Sequence, residues 1–112
     1  MALKPMSLAV VGVDYPNLKG PGRLEEIQKC RPGEAVELRP EPNNPADERA
    51  VAVFSSRGVQ IGYLTAERCG RIGAKIAQGL PIVAIFQQAE QYGAVIRISF
   101  DGTTPPLREE AT

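Results

Sequence analysis

The apolar residues of this chain arrive in short runs. LAVVGV (8–13), EAVELR (34–39), AVAVF (50–54), VQIGYL (59–64), IVAIFQ (82–87) and AVIRISF (94–100) span five to seven residues each. They are rich in β-branched residues and separated by Gly, Pro, Asn and Asp, the composition of strands and turns. None approaches the roughly 18 apolar residues that a membrane span requires. Five or six short strands at close spacing would leave unpaired edges, and closure into a small barrel, complete or partial, is the simplest way to hide them. At 112 residues there is chain for one modest core. The predicted organisation is one mainly β barrel domain over residues 1–102, followed by a polar, Pro-broken tail, 103–112, that frays.

Two segments break the strand pattern. Thr65 predicts the N-cap of a helix running through Gln78, with Gly79 at C′ and Pro81 beyond. Cys69, Ile72 and Ile76 fall at helical spacing and face the core. Arg23 to Cys30 (RLEEIQKC) predicts a short second helix with Leu24 and Ile27 on one side, closed by Pro32-Gly33. Within the strands, Ala35 or Val36 and Leu38 point inward, SSRG (55–58) is a hairpin turn, and AEQYG (89–93) is the loop of the last hairpin.

Composition narrows the function. With 43% apolar residues the chain folds rather than staying disordered. The start, MALKPMSLAVVGVDY, has one Lys and a short apolar run before Asp14, a first strand rather than a signal peptide. Cys30 and Cys69 lie far outside CxxC spacing and read as two reduced thiols in a cytoplasmic protein, a single disulfide being the other arrangement. The chain has no histidine, which removes Ser/His and Cys/His nucleophile pairs and the usual general base near neutral pH. Two cysteines do not make a tetrahedral zinc site, and no phosphate-binding GxxxxGK[ST] loop or GxGxxG occurs. A non-catalytic protein without cofactor is predicted. Thirteen basic residues balance thirteen acidic ones, so an anionic partner must be met by a local patch.

One segment has more character than a strand needs. LRPEPNNPADERAVAVFSSRGVQIGYLTAERCGRIGAKIAQG (38–79) carries Glu41-Pro42, Asn44-Pro45, Asp47, the apolar run Ala50 to Val53, Gly58 and Gly62-Tyr63-Leu64 in fixed order. In this it resembles the HIRAN family, and VVGVDYPN (10–17) is similar to that family's first strand and following turn. The similarity is strong over residues 9–80 and reaches the last hairpin by position. It implies a barrel of the oligonucleotide-binding (or SH3-like) kind. It also implies recognition of single-stranded DNA, at its free 3′ end in the best-known member, with a helicase or nuclease as partner in DNA repair or fork processing. Family members that bind strand ends carry a Tyr just before the Asp; here that position is Ala46.

The residues allow that chemistry. Pro42 and Pro45 fix their φ and Asn44 is pushed toward extended geometry, so the loop is stiff and presents Asn43, Asn44 and Asp47 at low entropy cost. Asn amides suit base edges, and a carboxylate only accepts. Asp47 would thus accept a 3′-hydroxyl and repel a 3′-phosphate. A second reading has Asn and Asp bonding their own turn. In the turn after the first strand, which also carries Asn17, an exposed Tyr15 would stack a base for ~1–3 kcal/mol, or else sit half-buried. Tyr63 would face the ligand, or pack in the core with a wet hydroxyl. Arg68, Arg71 and Lys75 form a helical stripe about 100° from the apolar one. With Arg39 and Arg49 they make either a phosphate-binding patch or a solvated face in which Glu67 pairs with Arg71.

Two functions follow from different classes. One is a single-stranded DNA-binding module preferring a 3′ end. The other is a protein-interaction barrel that has kept the fold and lost the ligand, favoured by zero net charge, six aromatics among 112 residues, and Ala46. A metal-dependent nuclease ranks below both, since no Glu-x-Lys element occurs.

Overall fold

The structure, a computed structural model, describes residues 3–107, so the predicted tail lies outside the described residues from 108 onward. The elements are β1 (Met6–Val11), α1 (Arg23–Lys29), β2 (Ala35–Pro40), β3 (Val51–Phe54), β4 (Gln60–Leu64), α2 (Ala66–Ala77), β5 (Val83–Glu90) and β6 (Gly93–Ser99). All strand pairs are antiparallel, and the sheet closes on itself in the order β1-β4-β3-β2-β5-β6. The fold is a closed six-stranded, mainly β barrel, as the spacing of the runs predicts.

Alternation fills the barrel. Leu8 and Val10 of β1, Val36 of β2, Val51 and Val53 of β3, Ile61 of β4, Phe86 of β5, and Ile96 and Ile98 of β6 are buried in one cluster. The helices add Ile27 from α1, and Cys69 and Ile72 from α2. α1 packs on β4 and α2 on β3. Gly73 of α2 faces β3: a Cβ there would make ordinary van der Waals contact, 3.7 Å from Val51 Cγ2. The helix stops where Gly79 turns left-handed, φ +82, and its N–H donates to Ile76 while Leu80 N–H donates to Lys75. That is a complete Schellman ending.

The structure departs from the sequence reading in four places. Leu24 is exposed; Arg23 and Glu26 take the inward positions beside Ile27, because α1 turns a charged face to a polar network under the β3–β4 turn. There the Ser55 hydroxyl and Arg57 Nε each donate to the buried Glu26 carboxylate at 2.6 Å. The last hairpin has no five-residue loop; pairing runs to Glu90–Gly93 and only Gln91 and Tyr92 turn the chain. Thr65 holds the N-cap position but its hydroxyl makes no capping bond. Residues 103–107 are tied to the barrel: Pro105 is buried and the Ser99 hydroxyl donates to the Thr103 carbonyl.

Candidate nucleic-acid interface

The chain leaves the barrel after β1 through Gly12, whose φ of +72 is a left-handed value that side chains avoid. A Cβ at this position would lie 3.8 Å from Tyr15 Cδ2, Tyr63 Cδ2 and Arg23 Nη1 alike. Two phenol rings and a guanidinium, from β4, α1 and the connection between β1 and α1, therefore gather round one bare stretch of backbone. Tyr15 is 67% exposed. Tyr63 is half-buried, and its hydroxyl donates to Glu41 Oε1 at 2.8 Å. Arg23 is only 8% exposed and holds its guanidinium 5.5 Å from the centre of the Tyr63 ring.

Two grooves meet over Tyr63. The first, about 490 Å³, separates residues 16–21 from the β3–β4 hairpin. The second, about 480 Å³, follows the rim from Glu41 to Pro45. Glu41 and Tyr63 line both, so the two read as one track across the barrel surface. Its walls carry aromatic faces (Tyr63, Phe54), cations (Lys19, Arg23), the free amide of Asn43 and the Glu41 carboxylate. That mixture suits a ligand with flat apolar rings and anionic links.

The predicted residues divide into three groups. Asn43 and Tyr63 line the track, and Tyr15 stands across Gly12 from Tyr63 without lining either groove. Asn43 is exposed and makes no hydrogen bond among the described residues. Asn17 and Asn44 are consumed as braces. Asn17 Nδ2 donates to the Pro21 and Gln60 carbonyls, both at 3.0 Å, while its Oδ1 accepts from Arg23 Nε at 2.9 Å. Asn44 Oδ1 accepts from the N–H groups of Ala46 and Asp47, and its Nδ2 donates to Glu41 Oε1 at 2.9 Å. Asn17 has no amide donor left, and Asn44 keeps one Nδ2 proton at the second groove.

Asp47 is also drawn inward: Oδ1 accepts the Arg49 N–H at 2.8 Å, and Oδ2 faces the Cys69 thiol at 3.8 Å. Its side chain keeps 31% exposure but lines neither groove of the track. Asn44 and Asp47 thus both bond their own turn, because a stiff loop closed by Glu41 N–H on the Ala50 carbonyl still needs its inner N–H groups satisfied.

The basic residues do not form one patch. Arg39 clamps Glu37 on its own strand, Nε to Oε2 at 2.7 Å, and stacks 3.8 Å over Phe54. The bond from Arg39 holds the Glu37 carboxyl below the usual carboxylate range. Arg49 pairs with Asp47 at 3.6 Å and lies across Gly70 of α2, whose Cβ would meet its Cδ at 3.5 Å. Arg68 and Arg71 are exposed on the same helix without an ion-pair partner among the described residues, and the Glu67–Arg71 pair does not form. Lys75 points to Phe100 instead, 6.0 Å from its ring centre.

Sequence reasoning did not single out Lys19, Arg23 or Glu41 as site residues, the three charges in the track. A signal for Arg23 was present: a cation in the first turn of a helix faces the positive end of the dipole, so another interaction must hold it there.

The comparisons with known proteins agree with this architecture. No curated protein matches the chain in sequence. The structure resembles the crystal structure of the HIRAN domain of human HLTF, with a TM-score of 0.69 at 22% identity, over 87% of this chain and 74% of that one. It also resembles the crystal structure of a protein from Lactobacillus plantarum, with a TM-score of 0.67 at 22% identity, over 88% of this chain and 94% of the other. The sequence pattern of the HIRAN domain matches residues 6–99, from the first residue of β1 to the last of β6, and so the chain belongs to the HIRAN domain family.

Proposed function

We propose that this chain is a non-catalytic module that binds single-stranded DNA and prefers an accessible 3′-hydroxyl end, acting beside a helicase or nuclease in repair or fork processing. The observation that carries the reading is Tyr15, two-thirds exposed on the other side of Gly12 from Tyr63, which lines both grooves. An exposed phenol fixed next to a groove with a second aromatic floor is a stacking platform for bases. Membership of the HIRAN domain family supports the same assignment.

Preference for a free 3′ end needs an acceptor that welcomes a hydroxyl and repels a phosphate. Two carboxylates qualify. Asp47 has the family's position, and Glu41 has the groove: Oε1 already accepts from Tyr63 and Asn44, while Oε2 has no partner among the described residues. Fluorescence titration at low salt with a 3′-hydroxyl strand, a 3′-phosphate strand and a blunt duplex tests this. The hydroxyl strand binds tightest, and the margin over the phosphate strand shrinks in Glu41→Gln or Asp47→Ala. Equal affinity for the two strands removes the end preference, and no binding to any of them removes the DNA reading.

The inward turn of Asn44 and Asp47 favours a second reading, a protein-interaction barrel that no longer takes DNA. Failure of all three oligonucleotides, with the barrel intact, is its signature.

A further inference from the structure

Arg23 is the most deeply buried arginine among the described residues, and no carboxylate pairs with it. By contrast, Arg39, Arg49 and Arg57, all more exposed, each have a carboxylate within 4.0 Å. A guanidinium carries five N–H donors. Nε is spent on Asn17 and one Nη1 proton on the Gly12 carbonyl. The second Nη1 proton and both on Nη2 have no partner among the described residues, on a side chain that lines the 490 Å³ groove. Those donors open to the groove rather than being sealed in the interior, while the rest of the cation is buried without a counter-charge, a cost the Tyr63 face offsets in part. Asn17 and Gly12 hold the fork rigid from behind, so the donors that remain are pre-aimed. Lys19 supplies a second positive charge on the same wall, and Glu41 sets a negative limit at the far side of Tyr63.

We propose that Arg23 is a phosphate receptor: its open edge binds the phosphodiester of the nucleotide that lies over Tyr63, forming a two-point, charge-assisted contact. This deepens the DNA-binding reading and rests on it for the source of the phosphate. The donor pattern also sets a polarity. The phosphate goes to Arg23, and the Glu41 carboxylate repels it from the opposite end, so the strand enters the track in one direction.

The test is an NMR titration of the whole chain, followed at the Arg23 Nε–H resonance, with inorganic phosphate, thymidine monophosphate and a short oligothymidylate as separate probes. The oligothymidylate moves the Arg23 signal at concentrations at least about tenfold below those needed for inorganic phosphate, because neighbouring bases add stacking. In parallel, the slope of log affinity against log salt falls by about 0.7 in Arg23→Gln, the loss of one phosphate contact on a single strand. Lys29→Gln, exposed on α1 outside the track, keeps the parent slope.

Oligothymidylate binding with a stationary Arg23 signal and an unchanged slope overturns the receptor and leaves the DNA reading standing. A signal that moves with inorganic phosphate, while no oligonucleotide binds, supports the anion site and removes the DNA reading. A signal that moves with none of the probes overturns the receptor outright. If Arg23→Gln unfolds through loss of its bonds to Asn17 and Gly12, the parent-chain titration alone decides.

Discussion

Tyr15 offers the cleanest separation of binding from folding. Its ring is mostly in water, so Tyr15→Ala leaves the melting temperature within a degree or two of the parent, as surface changes do (about ±0.5 kcal/mol). The same change weakens oligonucleotide binding by about 1–3 kcal/mol, read by fluorescence anisotropy. A loss of stability with unchanged affinity would make Tyr15 a packing residue. Cys30 allows a second prediction. Burial raises its thiol above the ordinary 9.0, with Arg57 pulling the other way. At pH 8 it therefore alkylates more slowly in the folded protein than in urea, where the thiolate fraction is larger. Because the folded value is the higher one, this thiol supports the fold fully below pH 9 and progressively less as pH climbs through the folded value. Rates with iodoacetamide, folded against unfolded, check the direction. Side-chain identity made Tyr15 a candidate from sequence, but whether an Asn reads a base or braces a loop depends on partners far away in the chain, such as the Gln60 carbonyl that Asn17 reaches across 43 positions.

The elements meet at two points that tolerate little change. Gly62 of β4 lies so close to β1 that a Cβ would overlap the Val11 carbonyl and come within 2.7 Å of Val10 Cγ1. The β1–β4 seam has only two paired positions, Val10 with Leu64 and Val11 with Tyr63. Gly62→Ala therefore separates those strands, costing about 3 kcal/mol in urea denaturation, the upper end of ordinary overpacking. Because Tyr63 is the next residue, binding falls with it. The second point is Glu26, 1% exposed, held by Ser55 and Arg57 and fastening α1 beneath the β3–β4 turn. Arg57→Ala leaves that carboxylate buried with only a hydroxyl partner. The variant is destabilised by more than a surface change but less than a fully buried pair would cost, since Arg57 itself is partly in water. Equilibrium denaturation of both variants distinguishes these from surface changes, which stay within about ±0.5 kcal/mol. The sequence placed both helices and all six strands close to their observed bounds, because propensity, caps and alternation are local. It missed the inward face of α1, because a charged residue turned to the interior requires a partner that only the folded chain supplies.

Taken as a whole, the chain is electrically neutral, with thirteen charges of each sign, and exerts no long-range pull on nucleic acid. Few of its cations reach the track: Arg39, Arg49 and Arg57 are paired with carboxylates, Arg68 and Arg71 stand on α2, and Lys19 and Arg23 are the basic residues that line it. Binding to single strands should thus release few counterions. The slope of log affinity against log salt is expected near −1.4, about 0.7 for each of two phosphates. A slope several times steeper would mean that Arg68 and Arg71 on α2 join the interface, and would restore the broad patch that the sequence suggested.

The strand positions, a small barrel, the two helices and their ends, and the family were legible in the order of residues, because each depends on neighbours a few positions apart, whereas full closure on six strands was settled by the pairing itself. The track was not. It exists because barrel closure brings the turn after β1, the first residue of α1, the rim before β3 and Tyr63 of β4 to one place around Gly12 and Glu41. Which polar groups stay free there is settled by hydrogen bonds between residues distant in sequence, and those bonds form only once the sheet has closed.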